Sequence, residues 1–186
     1  HVITNVETTA STTGDSAVVR TIHEQLARAG MLPGRHYVDG GYLGAEQIVE
    51  SRERFGVELY GPVQADRGWQ HAAARGYEQG RFEVDWEREQ VRCPQGQVSS
   101  SWMLEERGRG GAVYHVQFAA SVCGPCAARA HCTRSRARRR TINIKPRAQY
   151  EALEGARARQ TTDEFKQAYR RRAGVEGTIS QGVRVS

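Results

Sequence analysis

The chain has 186 residues, 38% of them apolar and 26% charged, with a formal net charge of +6. That length holds one domain, or one domain carrying an insertion, and suffices to bury a core. No apolar run approaches the ~18–20 residues of a membrane span, and no secretory leader pattern is visible. The basic balance suits a polyanionic partner, with plain solubility as the simpler reading.

Residues 2–7 read as a strand and residues 8–14 as a polar, threonine-rich loop. Residues 15–29 read as a helix, because Val18, Val19, Ile22, Leu26 and Ala29 fall on one face and Gly30 can end it. Pro33-Gly34 turns the chain into a short strand that runs directly into Asp39-Gly40-Gly41-Tyr42. Residues 45–55 form a second helix, with Ile48, Val49, Arg52 and Phe55 in register and Gly56 at its end. Residues 57–60 are strand, closed by Gly61-Pro62. Residues 1–63 therefore alternate β-α-β-α-β, the pattern of an α/β fold with parallel strands.

The pattern changes after Pro62. Residues 64–79 lack periodicity and read as loop. Phe82, Val84 and Trp86 alternate with polar residues, which predicts a half-buried strand with a partner reaching Cys93. Residues 98–104 and 113–119 are further strands, so residues 64–146 form a small antiparallel β region inserted into the α/β frame. Its last part is the most basic stretch, with Arg129, Arg134, Arg136, Arg138, Arg139, Arg140 and Lys145 and no acid among them. Thr141-Ile142-Asn143-Ile144 is one more strand there. Residues 147–186 return to helix as a C-terminal helical segment. Thr161 and Glu164 fit a capping box for a last helix running towards Gly182. His1 opens on strand-like sequence and Ser186 stops at a helix or its exit, so both ends read as cuts in a longer protein.

Two acids stand out. Asp39 follows a strand, and ligands of open α/β sheets sit beyond the strands' carboxyl ends, where an acid can hold a metal or a water. The plainer reading is that Asp39 opens an Asp-Gly turn. On the last helix, Phe165, Tyr169, Arg172, Glu176, Ile179 and Val183 step by four and three onto one face. Gly174 and Gly177 flank Glu176, and each costs a helix about 1 kcal/mol relative to Ala, which suggests a close approach. Alternatively the helix ends near Ala173 and Glu176 is a surface acid. Two carboxylates converging on Mg²⁺ (or Mn²⁺) would activate water or a 3′-hydroxyl against a phosphodiester. The nearest third acid, Asp15, is explained by its place at a helix start.

Cys93, Cys123, Cys126 and Cys132 lie within forty residues. Cys93-Pro94-Gln95-Gly96 resembles half of a zinc knuckle, Cys123-Gly124-Pro125-Cys126 can grip one ion, and Cys132 would complete a structural Zn²⁺ site. His131 or His115 could replace one ligand. Small buried thiols are the alternative. A thioredoxin-type redox pair is a third reading, disfavoured by the arginine-rich sequence that follows and by Val122 in place of Trp. Cysteines without a secretion signal indicate a reducing, cytoplasmic compartment.

At these residues the chain resembles the DDE transposases of bacterial insertion sequences, in the branch with a ribonuclease H-like core, a strand-rich insertion and a cysteine-bearing segment. The resemblance rests on Ile3-Thr4-Asn5-Val6, Val38-Asp39-Gly40-Gly41-Tyr42, Cys93-Pro94-Gln95-Gly96, the later cysteines, Arg159-Gln160-Thr161-Thr162, and the stretch from Tyr169 to Arg184. In this family a Tyr, an Arg and the last catalytic Glu follow a Y-x2-R-x3-E spacing, which Tyr169, Arg172 and Glu176 match. Asp39 matches the second acid, and the first would lie upstream of His1, leaving a fragment inactive alone. Val183 stands where a Lys is usual, and Arg184 follows it. The resemblance implies Mg²⁺ held by Asp39 and Glu176, and DNA contacts from Tyr169, Arg172 and Arg184. It also implies that Arg136, Arg138, Arg139 and Arg140 track the phosphate backbone, with salt-dependent binding. The implied partners are element ends and target DNA, bound in a complex of several copies near the nucleoid, with no membrane. A non-catalytic zinc-ribbon-like nucleic-acid-binding module is the alternative.

Overall fold

The structure, a computed structural model, describes residues 4–8, 14–64, 68–108, 111–170 and 172. The chain divides into two compact units, one made of residues 1–64 and 148–186 and the other of residues 65–147.

The first unit is α/β. After a 3-10 turn at Asp15–Val18 come α1 (Val19–Arg28), β1 (Arg35–Tyr37), α2 (Ala45–Phe55) and β2 (Glu58–Tyr60), joined later by α6 (Arg147–Gln160) and α7 (Asp163–Arg170). Strands β1 and β2 run parallel, with His36 beside Leu59 and Tyr37 beside Tyr60. The ladder extends one step, since the Val38 N–H donates to the Tyr60 carbonyl at 3.0 Å. Helix α2 stops because Gly56 takes a left-handed φ of 66°. That conformation lets the Gly56 N–H reach the Arg52 carbonyl at 3.1 Å, the left-handed helix cap, while the Val57 N–H donates to the Ser51 carbonyl at 3.0 Å. The core gathers Val19, Val38, Leu43, Ile48, Leu59 and Val63 with Ala152 and Ala156. Ala152 and Ala156 are the buried residues that α6 contributes. Arg159 then ties α6 to β2, donating to Glu58 Oε1 at 2.6 Å and to the Leu59 carbonyl at 3.2 Å.

The second unit is antiparallel. It contains the hairpin β3 (Glu83–Asp85) and β4 (Gln90–Arg92), and a three-stranded sheet ordered β5 (Ser101–Glu106), β6 (Ala112–Gln117), β7 (Thr141–Ile144). The unit also holds the short helices α3 (Trp69–Ala73), α4 (Ala120–Cys123) and α5 (Arg129–Cys132). Val91, Val113, Val116, Phe118, Ile142 and Ile144 are buried, and Ile142 and Ile144 of β7 keep the period of two of a strand with one covered face.

Three expectations need correction. The strand expected at residues 2–7 is absent from residues 4–7, and residues 2 and 3 lie outside the described residues. Val6 is 76% exposed, and Asn5 and Glu7 are held through their side chains by Gln25 of α1 rather than through a backbone ladder. Residues 69–73 are helix, not loop. Tertiary contacts stabilise them in place of periodicity: Gln70 donates to the Cys132 carbonyl at 3.1 Å, and the Arg134 guanidinium lies 4.1 Å from the Trp69 ring centre. The cap of α7 is Thr162, not Thr161, because it is Thr162 Oγ1 that accepts from the Phe165 N–H at 3.1 Å. Glu176, Ile179, Val183 and Arg184 lie outside the described residues. Among the described residues no helix is long and apolar enough to cross a membrane.

Candidate functional site

Asp39 stands two residues after β1 and caps a 3-10 turn at Gly40–Tyr42, accepting the Tyr42 N–H at its carbonyl. The turn reading and the site reading of this residue are thus compatible: its backbone opens the turn while its side chain points elsewhere. The backbone here is tightly placed. A Cβ on Gly61 would meet the Val38 carbonyl oxygen at 2.3 Å, and one on Gly40 would meet the Pro62 carbonyl at 3.0 Å. The neighbour that needs a bare Gly40 is therefore the end of the paired strand.

The side chain of Asp39 meets α7 and its exit. Arg172 Nη2 donates to Asp39 Oδ2 at 2.5 Å, a charge-assisted contact across 133 residues of sequence. The Tyr169 hydroxyl donates to the Val38 carbonyl at 3.4 Å and accepts from Arg172 Nη1 at 3.4 Å. Tyr169 is fixed in turn by a column of rings: Tyr60 stacks on Phe165 with centroids 4.9 Å apart, and Phe165 stacks on Tyr169 at 5.6 Å. Phe165 is buried, so α7 is anchored by this column to β2. Asp39 remains 52% exposed at its side chain and Arg172 23%. An ion pair so open to water adds little stability; its content is positional.

For a divalent cation, Asp39 is a suitable hard donor, half-open to solvent, with Arg172 engaging one carboxylate oxygen. As the side chains lie, no three of His, Cys, Asp and Glu among the described residues stand in ligating geometry.

The sequence reading missed a pair of histidines in the same unit. His23 of α1 is fully buried, and its Nε2 lies 3.0 Å from Nδ1 of His36 on β1. His23 Nδ1 is buried without a hydrogen-bond partner. Burial, with the neighbouring His36 adding to it, pushes the His23 imidazole down to about 4, and burial lowers His36 as well. The signal was present in the sequence, since His23 sits between Val19 and Leu26 at helical spacing.

In the second unit all four cysteines border one cavity of about 30 Å³. All four are free thiols, half-buried. Burial pushes the Cys132 thiol up to about 11; Arg140 opposes this, and the three other cysteines reinforce it. Of the predicted DNA-facing arginines, Arg136, Arg138 and Arg139 are exposed. Arg140 turns inward, with Nη1 donating to the Cys132 carbonyl at 2.9 Å and its guanidinium 5.4 Å from the Phe82 ring centre.

A family model described as "Transposase DDE domain" matches residues 92–186, just over half of the chain. The chain belongs to this transposase family. The matched region of the transposase holds the four cysteines, the basic run, and Tyr169, Arg172 and Glu176, while Asp39 precedes it. Comparison with curated proteins and with solved structures gave no match.

Proposed function

We propose that the protein carries out DNA transposition by metal-dependent phosphodiester hydrolysis followed by strand transfer, on a ribonuclease H-like core. Asp39 and Glu176 are two of the carboxylates that hold Mg²⁺ or Mn²⁺. The observation that carries this reading is the joining of Asp39 to Arg172 and Tyr169, which belong to the same Y-x2-R-x3-E segment as Glu176. A plain core helix has no need to direct a guanidinium at a half-exposed carboxylate at the end of a parallel strand.

A divalent ion at these carboxylates would supply a nucleophile at neutral pH and offset charge on the phosphoryl oxygens. The chain's own residues set the geometry. Tyr169, held by the Phe165 column, fixes the height of Arg172 above β1. Arg172 holds the Asp39 carboxylate in place. In the first reaction a water oxygen bonds to phosphorus and the 3′-oxygen leaves as a free hydroxyl. In the second, that hydroxyl attacks a target phosphodiester and displaces another 3′-oxygen. Arg136, Arg138 and Arg139 follow the phosphate backbone in a complex of several copies.

The test is strand cleavage of element-end DNA by the intact protein. Asp39→Asn and Glu176→Gln each abolish cleavage, at least 100-fold, with DNA affinity retained. Cleavage by both variants at the unaltered rate would overturn the assignment.

A further inference from the structure

We propose that Cys93, Cys123, Cys126 and Cys132 form a closed tetrathiolate site for one structural Zn²⁺, separate from the Asp39 centre and independent of the reaction proposed for it. The thiols come from three segments that share little else. Cys93 stands just after β4, in a turn closed from both sides: its N–H donates to the Gln97 carbonyl at 2.8 Å, and its carbonyl accepts the Gly96 N–H at 2.8 Å. Gly96 takes the left-handed φ of 76° that this turn demands. Cys123 ends α4, and Cys126 follows it in a tight turn, its N–H donating to the Cys123 carbonyl. That turn also requires glycine, since a Cβ on Gly124 would meet the Ala120 carbonyl oxygen at 2.7 Å. Cys132 ends α5.

These local turns differ in type, yet all four thiols border the same cavity, whose 30 Å³ is the room of about one water or one ion. Four thiolates around Zn²⁺ leave two negative charges, and two guanidinium-bearing residues, Arg129 and Arg140, border the cavity as well. Soft sulfur donors with no open position select zinc in a structural role over the hard cations. The thiols draw into ligating geometry as the metal binds, since metal binding and local folding are one equilibrium in small sites.

The consequence reaches the basic loop. The Cys132 carbonyl accepts from both Gln70 and Arg140, and Thr133 Oγ1 donates to the Arg139 carbonyl at 3.1 Å. Fixing Cys132 therefore fixes both ends of the segment that exposes Arg134, Arg136, Arg138 and Arg139.

The experiment is metal analysis of the intact protein purified under reducing conditions without chelator. One zinc per chain is expected, with Co²⁺ exchange giving the thiolate-to-metal charge-transfer and tetrahedral d–d bands. Cys93→Ser and Cys132→Ser each lower zinc at least tenfold, whereas Asp39→Asn leaves it at one. Should the cysteine variants not fold, the native protein decides alone: titrating its thiols with an organomercurial releases the zinc in step with four modified cysteines. Iron in place of zinc, four freely reactive thiols with no metal, a Cys123–Cys126 disulfide, or zinc retained in both serine variants would each overturn the proposal.

Discussion

The buried histidine pair makes stability in the α/β unit fall with acid by an amount that can be worked out. In the tautomer with the proton on Nε2, His23 donates to His36 Nδ1 and leaves only a lone pair at its buried Nδ1. Protonation puts a second N–H at that atom with nothing to receive it, in a fully buried position. The folded state therefore keeps His23 neutral down to about 4, against 6.5 for the unfolded chain. Between those values the unfolded state binds more protons, so this contribution is complete above pH 6.5 and is lost as pH falls towards 4. The full span is worth about 3 kcal/mol, and about 2 kcal/mol is gone by pH 5. Hydrogen–deuterium exchange of peptides covering α1 and β1, corrected for intrinsic pH dependence, should show protection falling about 20-fold between pH 7 and pH 5. His23→Leu starts less stable, because it strips His36 of its partner, but its protection changes much less over the same range. Equal pH slopes in the two proteins, or a His23 ring that titrates near 6.5 by NMR, would refute the reasoning.

Two smaller changes probe the same unit. Gly61→Ala forces its Cβ against the Val38 carbonyl and should cost about 1–3 kcal/mol of stability. It should also slow strand cleavage by displacing Asp39; wild-type denaturant midpoint and rate would show the contact to be soft. Thr162→Ala removes the α7 cap and should cost about 1 kcal/mol in the protection of residues 163–170. If Thr161→Ala had the larger effect, the cap assignment would be wrong.

Much of the α/β frame was legible because local rules and tertiary packing agree there. The periodicity of Ile48 and Val49 and the stop at Gly56 give α2 its observed bounds, and the alternation of Thr141-Ile142-Asn143-Ile144 gives β7. Where they disagree the sequence misleads. Val6 sits among strand-forming residues with no strand paired to it among the described residues, and Trp69-Gln70 is helical through contacts with Cys132 and Arg134 far along the chain. Thr161 and Thr162 have the same capping chemistry, so the register of one residue between them was set by where Phe165 must be buried. The Asp39 site was readable as a list of residue types at a known spacing. The ring column that positions Tyr169 was not, because nothing in Tyr60 or Phe165 taken singly announces a partner about a hundred residues away.

The contact between Asp39 and Arg172 spans 133 residues, and the whole cysteine-bearing unit is encoded between them. Translation at ~5–20 residues per second takes on the order of ten seconds to cover that distance. Throughout that interval the nascent chain carries Asp39 with neither its guanidinium nor the aromatic column yet made. The intervening unit has time to fold by itself first. A ribosome that stalls within residues 65–147 therefore leaves behind a polypeptide in which Asp39 has not met Arg172.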